Sequence, residues 1–234
     1  MLRWITALLT ATVGGCSGAS TRHVAHGSRA HDHGHGARGE GSSEHAFVDA
    51  DSWTGIFDDP ARDSWQRPDD VLGALELEPG MTVADVGAGT GYFAVRLARA
   101  LPRGEVIATD LEADMVRFVN GRARLEPLAN LRAVQATATA PGLSPESVDR
   151  ILIVHVWHHL AHRAEYARGL AAALRPAGRL LVVEFSPTAR RGPPASPRVG
   201  PDAVVAELAA AGLSASVSPT AIPDQYIVDA RRRP

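Results

Sequence analysis

Three features of the sequence predict an α/β fold built on a mostly parallel sheet. From about Ala46 onward short β-branched runs alternate with helix-spaced segments; the first of those runs opens into a glycine-rich loop; and the last two strand signals are joined without a helix. Strands separated by helices pair in parallel through crossovers. The short proline-containing link at the end sets the final two strands antiparallel.

In order, "MTVADV" (Met81 to Val86) follows the turn "EPG" and reads as the first strand. "YFAVRLARAL" has helical spacing, "GEVIATD" is the second strand and "EADMVRFVNGRARL" the second helix. "LRAVQA" is the third strand. "VDRILIVHV" is a continuous apolar run, the pattern of a central strand covered on both faces. "AEYARGLAAALRP" is a helix expected to stop at Pro176 and Gly178, and "GRLLVVEF" is the fifth strand. "PDAVVAELAAAG" is an amphipathic helix ended by Gly212, before the strands "LSASVSP" and "QYIVDAR".

The most informative stretch is "DVGAGTGYF", Asp85 to Phe93, between a strand and a helix. Gly87, Gly89 and Gly91 let the backbone turn tightly and come close to a ligand. A dinucleotide loop of the form G-x-G-x-x-G, counted from Gly87, needs glycine at position 92, where this chain has Tyr92. The second strand ends in Asp110, whose carboxylate suits the two hydroxyls of a ribose. The plain alternative for Asp110 is a turn aspartate before Glu112.

With these residues the chain resembles the class I S-adenosylmethionine (SAM)-dependent methyltransferases, from about Phe57 to Arg231. The resemblance implies a Rossmann-like, seven-stranded sheet with an antiparallel last strand and helices on both faces. It implies SAM as cofactor, its methionine part wrapped by the loop from Asp85 through Gly87, Ala88 and Gly89 to Gly91. Asp110 would hold the ribose, and Leu111 would pack on adenine, joined by Met115. Many members carry an acidic residue after the third strand. Here "QATATAPGL" has none, and Thr137 or Thr139 is the expected substitute for adenine contact.

The fourth strand ends in "VHVWHHLAH". Trp157, His158 and His159 match an aromatic-His-His pattern of related methyltransferases, whereas His155 stands where an acidic residue is frequent. Methyl transfer requires alignment and water exclusion, and a base only where the nucleophile carries a proton. His155 and His158 are the candidates for base or substrate contact. His159 and His162 are expected to pack or cap the next helix, and no metal site is assigned to the four histidines.

The single cysteine, Cys16, follows a charged start (Met1 to Arg3), a short apolar run (Trp4 to Val13) and Gly14-Gly15. Residues 1–16 resemble a bacterial lipoprotein signal, which implies a lipid anchor at Cys16 and residence at the cell envelope; if the signal is spurious, the chain is cytoplasmic. Residues 17–45 are rich in Gly, Ser and His and read as a disordered tether with at most weak metal binding. Residues 46–234 form the folded domain, in which 46–80 is expected to lie over the cofactor cleft as a partial lid, bringing Asp58, Asp59, Arg62 and Trp65 near cofactor or substrate. The formal charge of −2 and the absence of a basic stripe give no sign of nucleic-acid binding. The sequence therefore predicts methyl transfer from SAM to a small-molecule acceptor. The competing reading is a membrane-anchored protein that binds SAM or its demethylated product without catalysis. An NAD(P) dehydrogenase is disfavoured by Tyr92.

Overall fold

The structure is a computed structural model that describes residues 49–192 and 198–232. The signal-like segment with Cys16 and the His-rich tether lie outside the described residues. The N-terminal cap comprises α1 (Ala50–Phe57), a 3-10 turn (Pro60–Arg62), α2 (Asp63–Gln66) and α3 (Pro68–Ala74). Pro60 and Pro68 each open a helical segment, where a missing N–H costs no hydrogen bond. The two prolines thus divide the cap into short helices that bend over an edge.

The elements that follow are β1 (Thr82–Val86), α4 (Tyr92–Ala100), β2 (Glu105–Asp110), α5 (Ala113–Leu125), β3 (Leu131–Gln135) and β4 (Val148–Val154). After a 3-10 turn (Trp157–His159) come α6 (Arg163–Ala173), β5 (Leu174–Phe185), α7 (Pro201–Ala210), β6 (Leu213–Ser218) and β7 (Gln225–Arg232). The seven strands lie in the order β3-β2-β1-β4-β5-β7-β6. The first five are parallel, and β7 runs antiparallel to both β5 and β6, as the helix-free link predicts.

Side chains of the central strands alternate between two apolar layers, the period-two pattern of a sheet covered on both faces. Val83, Leu152, Val154, Leu181 and Val183 face the layer built with α3, α4 and Val119 of α5. Ala84, Ile151, Ile153, Leu180 and Val182 face the layer built with α6 and α7. One boundary differs from expectation. The helix α6 ends at Ala173, before Pro176, and the chain is already extended at Leu174, which pairs with Val148. A residue preceding proline avoids the helical region, and the register of β4 against β5 then shifts between Val148 and Arg150.

Leu152 is fully buried in the central strand β4. Leu152→Ala is expected to lower the free energy of unfolding by about 2–5 kcal/mol in urea titrations. Leu125→Ala, at a side chain 86% exposed, should change it by less than about 0.5 kcal/mol.

Candidate functional site

In a parallel sheet, ligands bind outside the carboxyl ends of the strands, where the connecting loops diverge. At that edge β1 delivers Asp85 and the glycine loop, β2 delivers Asp110, β4 the histidine segment, and the cap folds over them. Gly87, Gly89 and Gly91 all have positive φ, of 71, 54 and 90°. At Gly87 the reason is also steric, because a Cβ there would stand 2.4 Å from Val156 Cγ2. The loop after β1 and the loop after β4 are therefore in direct contact. Gly87 and Ala88 donate their N–H groups to the Thr109 carbonyl at 2.7 and 3.0 Å, which ties the loop to β2.

Asp110 closes this loop from the other side. Its Oδ2 accepts the Gly89 N–H at 2.8 Å and its Oδ1 accepts the Glu112 N–H at 3.0 Å. Burial raises its pKa, and the Glu112, Gly89 and Leu111 amides pull it back. Each oxygen keeps a further lone pair for a ribose hydroxyl. Leu111, next in sequence, is 53% exposed and offers a flat apolar surface beside it. Met115, one turn into α5, is fully buried. Thr137 folds its hydroxyl oxygen into its own turn, accepting the Ala140 N–H at 3.0 Å. The polar side chain next to Leu111 is Gln135 instead, which donates Nε2–H to the Leu111 carbonyl at 3.1 Å.

Asp85 is the most perturbed acid of the site. Desolvation pushes its carboxyl up to about 7, opposed by the Ala94 amide and by Arg62. Its Oδ2 is buried without a hydrogen-bond partner, and so is Nε of Arg62. The Arg62 guanidinium donates to the Phe57 carbonyl at 2.8 Å and lies 3.9 Å from the Tyr92 ring centroid. Burial disfavours its charge, while Tyr92, Asp85 and Asp58 support it. Two opposite charges, each with an unsatisfied polar atom, thus flank the start of the glycine loop. They match the ammonium and carboxylate of an amino-acid end, and with Asp110 and Leu111 they fit SAM.

The rest of the cap is fastened to the same edge. Phe57 packs over the loop, within 3.2 Å of where a Gly89 Cβ would stand. Arg122 of α5 donates to Asp58 Oδ2 at 3.1 Å and to the Thr90 carbonyl at 3.0 Å, and so joins cap to loop. Asp59 caps the 3-10 turn through the Ala61 N–H. Trp65 stacks against His155 and Phe185 at 6.1 and 5.9 Å between centroids.

The two histidine candidates occupy different environments. His155 has φ of 58°, rare for a residue with a side chain, and donates its N–H to the Val183 carbonyl. Its Nε2 meets Gln225 Oε1 at 2.9 Å, an acceptor that also takes the Gln66 Nε2–H at 2.8 Å. His155 Nε2 is therefore the protonated nitrogen. Desolvation takes its pKa down to about 3, against the Gln225 bond and helped by Arg62, His158 and His159. It is a neutral donor joining the cap to β4, which is a poor starting point for a base. His158 instead turns Nδ1 to Glu184 at the end of β5, 2.9 Å from Oε2 and 3.0 Å from Oε1.

Glu184, Gln225 and Gln66 are the polar residues that the sequence reading missed. The signal for Glu184 was present: it is the only charge in the buried run "LLVVEF". Gln225 and Gln66 leave no trace in a linear pattern, because their partners lie about 70 to 160 residues away.

A seven-stranded sheet of this order, with the glycine loop and Asp110 at its carboxyl edge, is the Rossmann-like arrangement of SAM-dependent methyltransferases. Comparison with known proteins agrees: residues 83–178 match the family described as a methyltransferase domain. The ubiquinone/menaquinone biosynthesis C-methyltransferase UbiE of Bordetella parapertussis is 35% identical over 128 residues, 53% of this chain and 48% of that protein. The UbiE protein of Pasteurella multocida is 35% identical over 114 residues, 47% and 42% of the respective chains. The chain thus spans about half the length of the curated relatives it matches. A SAM-dependent methyltransferase from Aquifex aeolicus superposes with a TM-score of 0.71 at 25% identity, covering 79% of this chain and 99% of that one. The YcgJ protein of Bacillus subtilis shares the fold at a TM-score of 0.58 and 17% identity, over 72% and 99% of the two chains.

Two measurements test the loop. Gly87→Ala meets both a positive φ and the Val156 methyls, so it should lower the thermal midpoint, and Val156→Ala in the same chain should restore only part of the loss. Asp85 gives a pH dependence of defined sign. Between about pH 4 and pH 7 the folded, ligand-free chain keeps a proton that the unfolded chain has released. Its contribution to stability therefore falls as pH rises through that window and is constant above it. Asp85→Asn should remove this slope in urea titrations at pH 5, 6, 7 and 8.

Proposed function

We propose that the protein transfers the methyl group of SAM to a small-molecule acceptor. The observation that carries this reading is a buried acid and a buried base, Asp85 and Arg62, each with one polar atom lacking a partner, beside a glycine loop whose far side is held by Asp110. A ligand meeting all of them has an amino-acid zwitterion at one end and a ribose at the other. The likeness to C-methyltransferases of quinone biosynthesis favours carbon as the accepting atom. The aromatic wall of Trp65, His155 and Phe185 supports an acceptor with a planar apolar part.

The chain's own contributions follow from these positions. Asp110 orients the ribose, the glycine loop brings backbone against the methionine part, and Arg62 and Asp85 hold its two charges. The cap, latched through Gln66, Gln225 and His155, excludes water from the reacting centre. SAM supplies the activated methyl, and the protein supplies alignment.

Calorimetry with two ligands tests the assignment. S-Adenosylhomocysteine and 5′-methylthioadenosine share the adenosyl part, but only the first has the amino-acid end. Arg62→Gln should weaken the first by about 10–100-fold and leave the second unchanged, as loss of one charge-assisted contact requires. Asp110→Asn should weaken both. Absence of heat for either ligand with the wild-type chain would remove the cofactor assignment.

A further inference from the structure

We propose that Glu184 and His158 form a dyad in which Glu184 positions His158 as the general base of methyl transfer, so that the acceptor is a molecule that gives up a proton as it takes the methyl. The proposal rests on the methyltransferase reading above and deepens it by naming the acceptor's chemistry: a phenol, enol or similarly acidic X–H or C–H group.

The dyad is built by two adjacent strands. β4 and β5 pair in parallel up to Val154 and Val183, so the residues just beyond them emerge side by side at the carboxyl edge. The β4 chain turns into the short 3-10 segment that carries His158, and β5 continues to Glu184. Both Glu184 oxygens lie within 3.0 Å of His158 Nδ1, and Oε1 also accepts the His158 backbone N–H at 3.3 Å. A carboxylate can only accept here, so Nδ1 carries the hydrogen and Nε2 carries the lone pair. Neither of those side-chain bonds uses Nε2.

The burial of this pair points beyond packing. The side chains of His158 and Glu184 are 5% and 3% exposed. Burying a carboxylate is costly, and a buried ion pair seldom stabilises a fold more than apolar side chains of the same volume would. The carboxylate becomes useful when the ring beside it takes up a proton, because the imidazolium is then formed next to a fixed negative charge. The neighbouring His155 cannot take this part, since its Nε2–H is committed to Gln225.

In the step so assigned, the acceptor atom forms its bond to the methyl carbon as the methyl–sulfur bond breaks, and that bond's electron pair stays on sulfur. The acceptor's proton passes to His158 Nε2, either as the methyl arrives or, for transfer to carbon, in part beforehand. The products are methylated acceptor, S-adenosylhomocysteine and a His158 imidazolium held by Glu184, which then releases its proton to solvent.

The test uses the full chain, methyl-labelled SAM and the small-molecule fraction of a bacterial extract as the acceptor source, with S-adenosylhomocysteine affinity measured in parallel. Glu184→Gln keeps the shape and an acceptor for Nδ1–H but removes the charge. It should cut turnover by about 10–100-fold, and His158→Gln by about 100-fold or more, both with S-adenosylhomocysteine affinity within about twofold of wild type. Glu184→Asp should recover part of the loss. Wild-type turnover in Glu184→Gln would overturn the dyad alone and leave methyl transfer standing. So would parallel losses of turnover, ligand affinity and thermal midpoint that Glu184→Asp does not relieve, because these mark a packing role. Binding of S-adenosylhomocysteine by the wild-type chain with no labelled product would overturn the methyltransferase reading, and the dyad with it.

Discussion

The contact between Gly87 and Val156 is the constraint on which the working edge depends. Because Gly87 has no Cβ, the backbone after β1 comes against the Val156 side chain that follows β4. The loop that faces the cofactor and the segment that carries His155 and His158 are thus set by one close approach. The same backbone is tied to β2 through the Thr109 carbonyl and to Asp110 through the Gly89 N–H. Three strand ends are therefore locked together before any ligand arrives, which is the preorganisation that methyl transfer needs.

Unsatisfied buried polar atoms gather mostly at this edge. Among the described residues, five buried side-chain polar atoms lack a hydrogen-bond partner, and four of them belong to Arg62, Asp85, Thr90 and Thr109, in or beside the loop and cap. The fifth belongs to Arg179; His155 also has a positive φ, as do six other described non-glycine residues. At the amino ends of the strands the charges are matched: Arg179 pairs with Asp229 and Glu76, and Arg175 with Asp149, which also accepts the Thr82 N–H.

The fold was legible because each of its elements carries a local signature. The apolar run of β4, the glycine loop and the helix-free link before β7 each specify one feature of the topology through period, φ or loop length. The cofactor edge was legible for the same reason, since Asp85, the glycines and Asp110 lie within one βαβ unit. The acceptor side was not. Gln66 and Gln225 meet across 159 positions, and Glu184 finds His158 across 26. Such pairs are created by the order of strands, which a linear pattern does not encode.

The cap explains why the histidines divide their work. Gln225 Oε1 accepts from both Gln66 and His155, and its Nε2 donates to the Trp65 carbonyl at 3.1 Å. An oxygen taking two N–H groups leaves His155 no choice of tautomer, and burial keeps it uncharged. A neutral ring in that place holds the cap without adding a buried positive charge. The imidazole three residues further on has a carboxylate partner instead, so a proton arriving there is balanced by the carboxylate's negative charge. One histidine thus bonds through Nε2 to an amide and the other through Nδ1 to a carboxylate, and that difference in partner separates their chemistry.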